Sequence, residues 1–139
     1  MHEVTRSTHL DAAPDEVRRA LEDADLLSAW LGPWSPTGAD RAVVTTDDGV
    51  DRSVRREPPE HDGEVRWTWW PSGDEGAAST VVITVAPDGA GSRLTVTETA
   101  CASTAISGAP RGVALDGLGW TISLLALEIV LAVRCAIRV

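Results

Sequence analysis

The order in which hydrophobic periodicity changes along the chain places narrow limits on its fold. Residues 3–10 are rich in Thr, Val and Ser and predict a strand. Two short stretches with helical spacing follow, then a series of alternating segments, and finally a long apolar segment with helical spacing that starts near Leu118. This order predicts an α+β fold, in which a curved antiparallel sheet carries a long C-terminal helix across one face.

Two short amphipathic helices are predicted directly after the first strand. Pro14 suits the first turn of a helix, and apolar residues recur at helical spacing from there to Glu22. A second stretch with helical spacing leads to Trp30 and Leu31, and Gly32-Pro33 ends it.

The middle of the chain predicts about five antiparallel strands joined by short turns. Polar and β-branched residues alternate there, and turns rich in Gly and Pro separate the segments. With the first strand, roughly six or seven strands are expected, and a meander is the simplest way to connect them. Residues 101–114 are mostly small and predict a loop. The five predicted strands comprise residues 41–46, 50–57, 64–70, 79–86 and 92–100.

The aromatic side chains are confined to Trp, because the chain has six Trp residues and neither Phe nor Tyr. Trp67 and Trp69 share one face of a predicted strand, whereas Trp70 lies on the other face. We expect Trp67 and Trp69 to face the C-terminal helix, either as part of the core or as the lining of a cavity.

One acidic residue falls on an apolar strand face. Glu98 has the parity of Leu94 and Val96, so it is buried with a partner, lines a cavity, or lies in solvent near the strand end. Burial would raise its pKa unless an Arg kept it ionised. The candidate partners are Arg6, Arg55 and Arg66.

The C-terminal segment, residues 119–139, is almost long enough to span a bilayer. Glu128 at its centre and two Arg residues near its end favour a buried helix over a membrane anchor. Glu128 itself belongs either to a solvent-facing stripe or to the polar lining of a cavity.

The same segment carries two apolar stripes, and both need cover. A strongly curled sheet could cover both, or a second copy of the chain could cover one, which predicts a possible homodimer. The first stripe comprises Trp120, Leu124, Leu127 and Leu131, and the second comprises Ile122, Leu125, Ile129, Val133 and Ala136.

Charge and composition exclude several classes of partner. The chain has 12 basic residues, all Arg, against 21 acidic ones, for a net charge of −9, which argues against nucleic acid and anionic membranes. The three His residues and the cysteines, Cys101 and Cys135, lack metal-ligand spacing, so neither a metal nor a cofactor is expected, and the cysteines are expected to be small buried apolar residues. The N-terminus lacks a secretory pattern, which makes a cytoplasmic location the expectation.

The ordered set of segments resembles a known family across nearly the whole chain, which is expected to be one domain, residues 1–139. Residues 12–17 (AAPDEV) resemble the opening of the heat-shock-protein-90 ATPase activator homologue family, in the START-like (SRPBCC) superfamily. Residues 79–81 and 91–98 resemble its late strands, and Gly119-Trp120 resembles the start of its final helix. The chain departs from the family at Arg18 and at Ala100-Cys101, where the family has aromatic bulk.

This resemblance implies a helix-grip fold, whose sheet wraps around the C-terminal helix and leaves a cavity that superfamily members use for hydrophobic molecules. The expected function is therefore binding of a small apolar or amphipathic molecule. The alternatives are a polyketide cyclase or aromatase-type enzyme, with Glu98 as acid or base, and a chaperone-associated interaction protein. The residues expected to line the cavity are Trp30, Trp34, Trp67, Trp69, Glu98 and Trp120.

Overall fold

A computed structural model describes residues 3–100 and 117–137, and in the last helix the side chains of residues 119–134. The predicted loop 101–114, Ala136 and both cysteines lie outside the residues or side chains described. The described elements, in chain order, are β1 (Glu3–Leu10), α1 (Pro14–Glu22), α2 (Ala24–Trp30), β2 (Trp34–Pro36), β3 (Arg41–Thr45), β4 (Asp51–Glu57), β5 (Glu64–Pro71), a 3-10 turn (Glu75–Ala77), β6 (Ser79–Asp88), β7 (Gly91–Ala100) and α3 (Gly117–Ile137).

The described strands form one antiparallel sheet in the order β1-β7-β6-β5-β4-β3-β2. The six strands from β2 to β7 make the predicted meander, because each pairs with its neighbour in sequence. The first strand pairs with the last, with Glu3 opposite Thr99 and Leu10 opposite Ser92. Strand β2 was not predicted, since its three residues are too few to show a period.

The two short helices form where the sequence predicts them. Pro14 begins α1, two acidic residues occupy its first turn, and its apolar face is buried. Asp23 caps α2, since its side chain accepts hydrogen bonds from the backbone N–H groups of Asp25 at 2.9 Å and Leu26 at 3.2 Å. This cap satisfies two backbone N–H groups at the start of α2, and α2 packs against α3.

The core lies between the inner face of the sheet and one face of α3. Of the two predicted stripes on α3, the first (Trp120, Leu124, Leu127, Leu131) is buried. The second remains exposed at its described positions, from 40% for Ile122 to 65% for Ile129. The expectation that the curled sheet covers both stripes is therefore wrong for the part of the chain that the structure describes, because the sheet packs against one side of the helix only.

No helix within residues 3–100 and 117–137 combines the length and the apolar character needed to cross a membrane.

Candidate functional site

Four Trp rings form a continuous row through the core, from strand β2 to helix α3. The ring centroids of Trp34 and Trp67 are 5.9 Å apart, those of Trp67 and Trp69 are 5.6 Å apart, and those of Trp69 and Trp120 are 5.8 Å apart. All four rings are buried. Strand parity on β5 directs Trp67 and Trp69 towards the helix, as predicted, and Trp120 stacks on Trp69 from the helix side.

Glu98 is fully buried at the end of this row. Its Oε2 accepts hydrogen bonds from Trp69 Nε1 at 2.6 Å and from Ser79 Oγ, and its Oε1 accepts one from Trp120 Nε1 at 3.0 Å. Strands β5, β6 and β7 and helix α3 therefore converge on one carboxyl group. The sequence leaves three environments open for Glu98, and the structure excludes the solvent-exposed one.

Burial raises the pKa of the Glu98 carboxyl above its ordinary value of 4.5. The hydrogen bonds from Ser79, Trp69 and Trp120, and then the positive charge of Arg52, oppose this shift without cancelling it. The site therefore contains a carboxyl group that keeps its proton at a higher pH than an exposed Glu.

Arg52 supplies the cation near this carboxyl group. It is fully buried on β4, and its guanidinium carbon lies 5.0 Å from the centroid of the Trp69 ring. Its Nη2 donates to Asp48 Oδ2 at 2.8 Å, and its Nε donates to Thr46 Oγ1 at 3.0 Å. Burial of Asp48 favours a higher pKa, but the Thr46 hydrogen bond and the Arg52 charge hold the pKa of its carboxyl below the ordinary value.

The Arg residues considered as partners of Glu98 lie elsewhere. Arg55 and Arg66 have the outward parity of their strands and pair with Glu57 and Glu64, each at 2.8 Å. Arg6 is exposed on the edge strand and donates to a neighbouring backbone carbonyl. Arg52 is not among the partners predicted from the sequence, although it shares the parity of the buried Val54 and so belongs to the inner face.

Two other candidate residues, Trp30 and Glu128, lie outside the Trp row. Trp30 donates from Nε1 to the backbone carbonyl of Ala20 at 2.9 Å, which ties α2 to α1. Glu128 is half-buried and accepts a hydrogen bond from Thr8 Oγ1 at 3.4 Å, so it lies next to strand β1 and not beside Glu98.

Trp70 points to the outer face of the sheet, as strand parity predicts. It is nevertheless only 7% exposed, and the guanidinium carbon of Arg55 lies 5.9 Å from its ring centroid. The sequence indicated the direction of this side chain but not that Arg55 lies over its ring.

Two buried polar atoms near the core have no hydrogen-bond partner among the described residues. They are Trp67 Nε1, in the middle of the Trp row, and Ser123 Oγ, on α3. Such atoms are costly, because a buried donor or acceptor loses its water without compensation. In the same part of the chain, no group of His, Cys, Asp and Glu residues converges as metal ligands would.

Substitution of single Trp residues should distinguish the bonded N–H group from the free one. Trp69→Phe and Trp67→Phe remove similar ring area, but only the first removes a donor from the buried Glu98 carboxyl. We expect Trp69→Phe to lower the free energy of unfolding by about 1–3 kcal/mol more than Trp67→Phe. Urea unfolding of both variants measures this difference, and equal losses would contradict the hydrogen-bond assignment.

Several solved structures are similar to this chain in fold. The protein MLL2253 from Mesorhizobium loti is 20% identical, with a TM-score of 0.74, and the match covers 94% of this chain and 97% of that one. The Aha1 dimer from Colwellia psychrerythraea is 16% identical, with a TM-score of 0.71 and coverage of 94% and 96%. DynU16, a protein of the dynemicin biosynthetic locus, is 22% identical with a TM-score of 0.73; the match covers 94% of this chain but only 47% of DynU16.

No protein-family model matches the chain, and no curated protein sequence is significantly similar to it. The seven-stranded antiparallel sheet, the C-terminal helix and the agreement with these solved structures confirm the predicted architecture. The chain therefore has the helix-grip fold of START-like (SRPBCC) proteins.

Proposed function

We propose that the protein binds a small apolar or amphipathic molecule between the sheet and α3. The observation that carries the proposal is Trp67 Nε1, a fully buried donor that has no partner among the described residues. An oxygen of a bound molecule that accepted this hydrogen bond would remove a cost of about 1–3 kcal/mol. In this proposal Trp34, Trp67, Trp69 and Trp120 form the apolar walls, and Glu98 orients the polar end of the molecule.

Structural neighbours support this choice of ligand class. DynU16 belongs to a biosynthetic locus, and CalU16 from Micromonospora echinospora, 19% identical with a TM-score of 0.66, has the same fold. A Trp-lined interior with a few placed polar groups is also the usual composition of small-molecule sites. Trp30 has a different role in the proposal, because its N–H group is already bonded and its ring borders a surface cleft instead.

Two measurements test the proposal. Native mass spectrometry of freshly purified protein should detect a retained small molecule. The neutral fluorophore N-phenyl-1-naphthylamine should bind in the micromolar range, with energy transfer from the Trp row, and bind more weakly to Trp67→Phe. Absence of both a retained molecule and fluorophore binding would overturn the proposal.

The raised pKa of Glu98 favours one alternative, an enzyme in which this carboxyl acts as a general acid. Glu98→Gln would then abolish turnover of a cyclase or aromatase-type substrate while fluorophore binding persisted. A chaperone-associated interaction protein would behave differently from both, because its partner would bind the surface and interior substitutions that preserve the fold would have no effect.

We also propose that the chain forms a homodimer through the exposed stripe of α3. Ile122, Leu125, Ile129 and Val133 are 40–65% exposed, and two copies of such a stripe can pack against each other around a two-fold axis. The solved Aha1 from Colwellia psychrerythraea is a dimer. Sedimentation equilibrium at micromolar concentration should therefore give twice the chain mass of 14.7 kDa.

The variant Ile129→Asp should dissociate this dimer with the fold retained, because two buried carboxylates would face each other at the axis. Ala90→Asp adds the same charge at the exposed β6–β7 turn and should leave the dimer intact. A monomeric wild-type chain would refute the dimer without affecting the binding proposal.

A further inference from the structure

We infer that the cleft between the end of α2 and the first turns of α3 holds the polar end of a neutral ligand through a hydrogen bond to Ser123. The cleft is a second site, apart from the Trp row of the proposed function. The cleft is open to solvent on one side and has a volume of about 340 Å³, which is within the range of ligand pockets. It is lined by residues 28–33, residues 45–47 and Ile122, Ser123 and Ala126.

Ser123 is the side chain that gives the cleft its specificity. It is 2% exposed, and its Oγ has no hydrogen-bond partner among the described residues. A Ser hydroxyl within a helix commonly donates to the backbone carbonyl one turn earlier, yet this one does not. The hydroxyl group is therefore available to a ligand, and Ile122 and Ala126 supply apolar wall on the same side of the cleft.

The charges around the cleft favour a neutral occupant. Among the described residues that line the cleft, only Asp47 carries a charge, and its negative carboxylate would repel an anion. Arg52 cannot offset this effect at the surface, because its guanidinium is fully buried and held by Asp48 and Thr46. Trp30, Leu31 and Pro33 make the opposite wall largely apolar. The occupant that these features fit is a neutral, largely apolar molecule that carries a hydroxyl or carbonyl group.

The cleft lies close to the buried carboxyl site. Thr46 lines the cleft and also accepts the hydrogen bond from Arg52 Nε at 3.0 Å. The guanidinium of Arg52 in turn lies over Trp69, which donates to Glu98. Two side chains, Thr46 and Arg52, therefore link the lining of the cleft to the Trp row.

Equilibrium dialysis against three compounds of the same ring size tests the inference. The wild-type protein should bind 1-naphthol roughly tenfold more tightly than naphthalene, as one added hydrogen bond predicts, and should bind the anion 1-naphthoate most weakly. In Ser123→Ala the preference for 1-naphthol over naphthalene should fall to about one, with naphthalene affinity retained. Ser123→Leu should block both neutral compounds. Thr84→Ala, which removes a hydroxyl group at an exposed position of strand β6 outside the cleft lining, should change neither affinity.

The outcomes separate this inference from the proposed function. If wild type binds 1-naphthol and Ser123→Ala keeps the full preference, or if 1-naphthoate binds best, the assignment of Ser123 and the cleft is wrong. If Trp67→Phe weakens the binding of 1-naphthol and Ser123→Ala does not, only the interior site binds this compound. If binding depends on Ser123 but not on Trp67, the cleft binds these compounds and the interior site does not. Failure of the wild type to bind any of the three compounds would overturn the inference. Circular dichroism of Ser123→Ala verifies that the fold is retained.

Discussion

Replacement of Glu98 by Ala should lower the free energy of unfolding by about 3–5 kcal/mol at neutral pH. The substitution leaves the N–H groups of Trp69 and Trp120 and the hydroxyl of Ser79 without their common acceptor, all in a fully buried site. It also opens a cavity that the surrounding rings can fill only in part. Urea unfolding of the variant and the wild type measures the loss.

Glu57→Ala provides the matched control for this prediction. Glu57 lies on the outer face of the sheet, and its ion pair with Arg55 is partly exposed to solvent. We expect a loss below about 1 kcal/mol for the control, because exposed ion pairs contribute little. Similar losses for Glu98→Ala and Glu57→Ala would contradict the importance of the buried carboxyl group.

The raised pKa of Glu98 also predicts how stability depends on pH. Between pH 4.5 and the higher pKa of the folded state, the folded protein retains a proton that the unfolded chain has released. The contribution of Glu98 to stability is therefore complete below pH 4.5 and is lost as pH rises through the folded pKa.

Glu98→Gln, which does not titrate, provides the reference. The stability of wild type relative to this variant should decrease as pH rises from 4.5 through the folded-state pKa of Glu98. A relative stability that increased over that interval would show that the carboxyl group is stabilised in its ionised form.

Gly32→Ala should cost about 2–5 kcal/mol, because backbone strain and a steric clash act together. Gly32 has φ of 146°, and a Cβ atom at this position would lie 1.9 Å from the backbone oxygen of Thr45. This close approach brings the end of α2 against the end of β3, where the cleft begins. Thermal or urea unfolding of the variant measures the cost.

Gly49→Ala is the control that isolates the strain. Gly49 also has a positive φ, 81°, but a Cβ atom there would meet nothing within 4 Å. The control should lose about 1 kcal/mol, which is the cost of the left-handed conformation alone. If Gly32→Ala were as mild as Gly49→Ala, the close contact between α2 and β3 would be wrong.

Much of the site follows from strand parity, which the sequence displays directly. Parity placed Trp67 and Trp69 towards the helix and Glu98 on the inner face, and the structure confirms all three positions. Parity does not tell which residues from other strands meet across the core. Arg52 therefore remained unrecognised as the cation near Glu98, while Arg55 and Arg66 were considered although their own strands direct them outwards.

Helix periodicity has a similar limit. It identified both apolar stripes of α3, but whether a stripe is covered depends on the curvature of the sheet, which no local pattern encodes. Trp30 shows the same difficulty, since its ring position was predictable but its hydrogen bond to Ala20 depends on how α1 and α2 pack.

Pairing of the first strand with the last has a consequence for biosynthesis. Glu3 and Thr99 are partners although 96 positions separate them, whereas the remaining strand pairs join neighbours in the chain. During translation the meander can form hairpin by hairpin, but β1 has no partner until β7 has left the ribosome. An exposed strand edge is a template for pairing with other chains. The emerging protein is therefore most prone to aggregation in the interval before β7 appears, and conditions that slow synthesis of residues 91–100 would lengthen that interval.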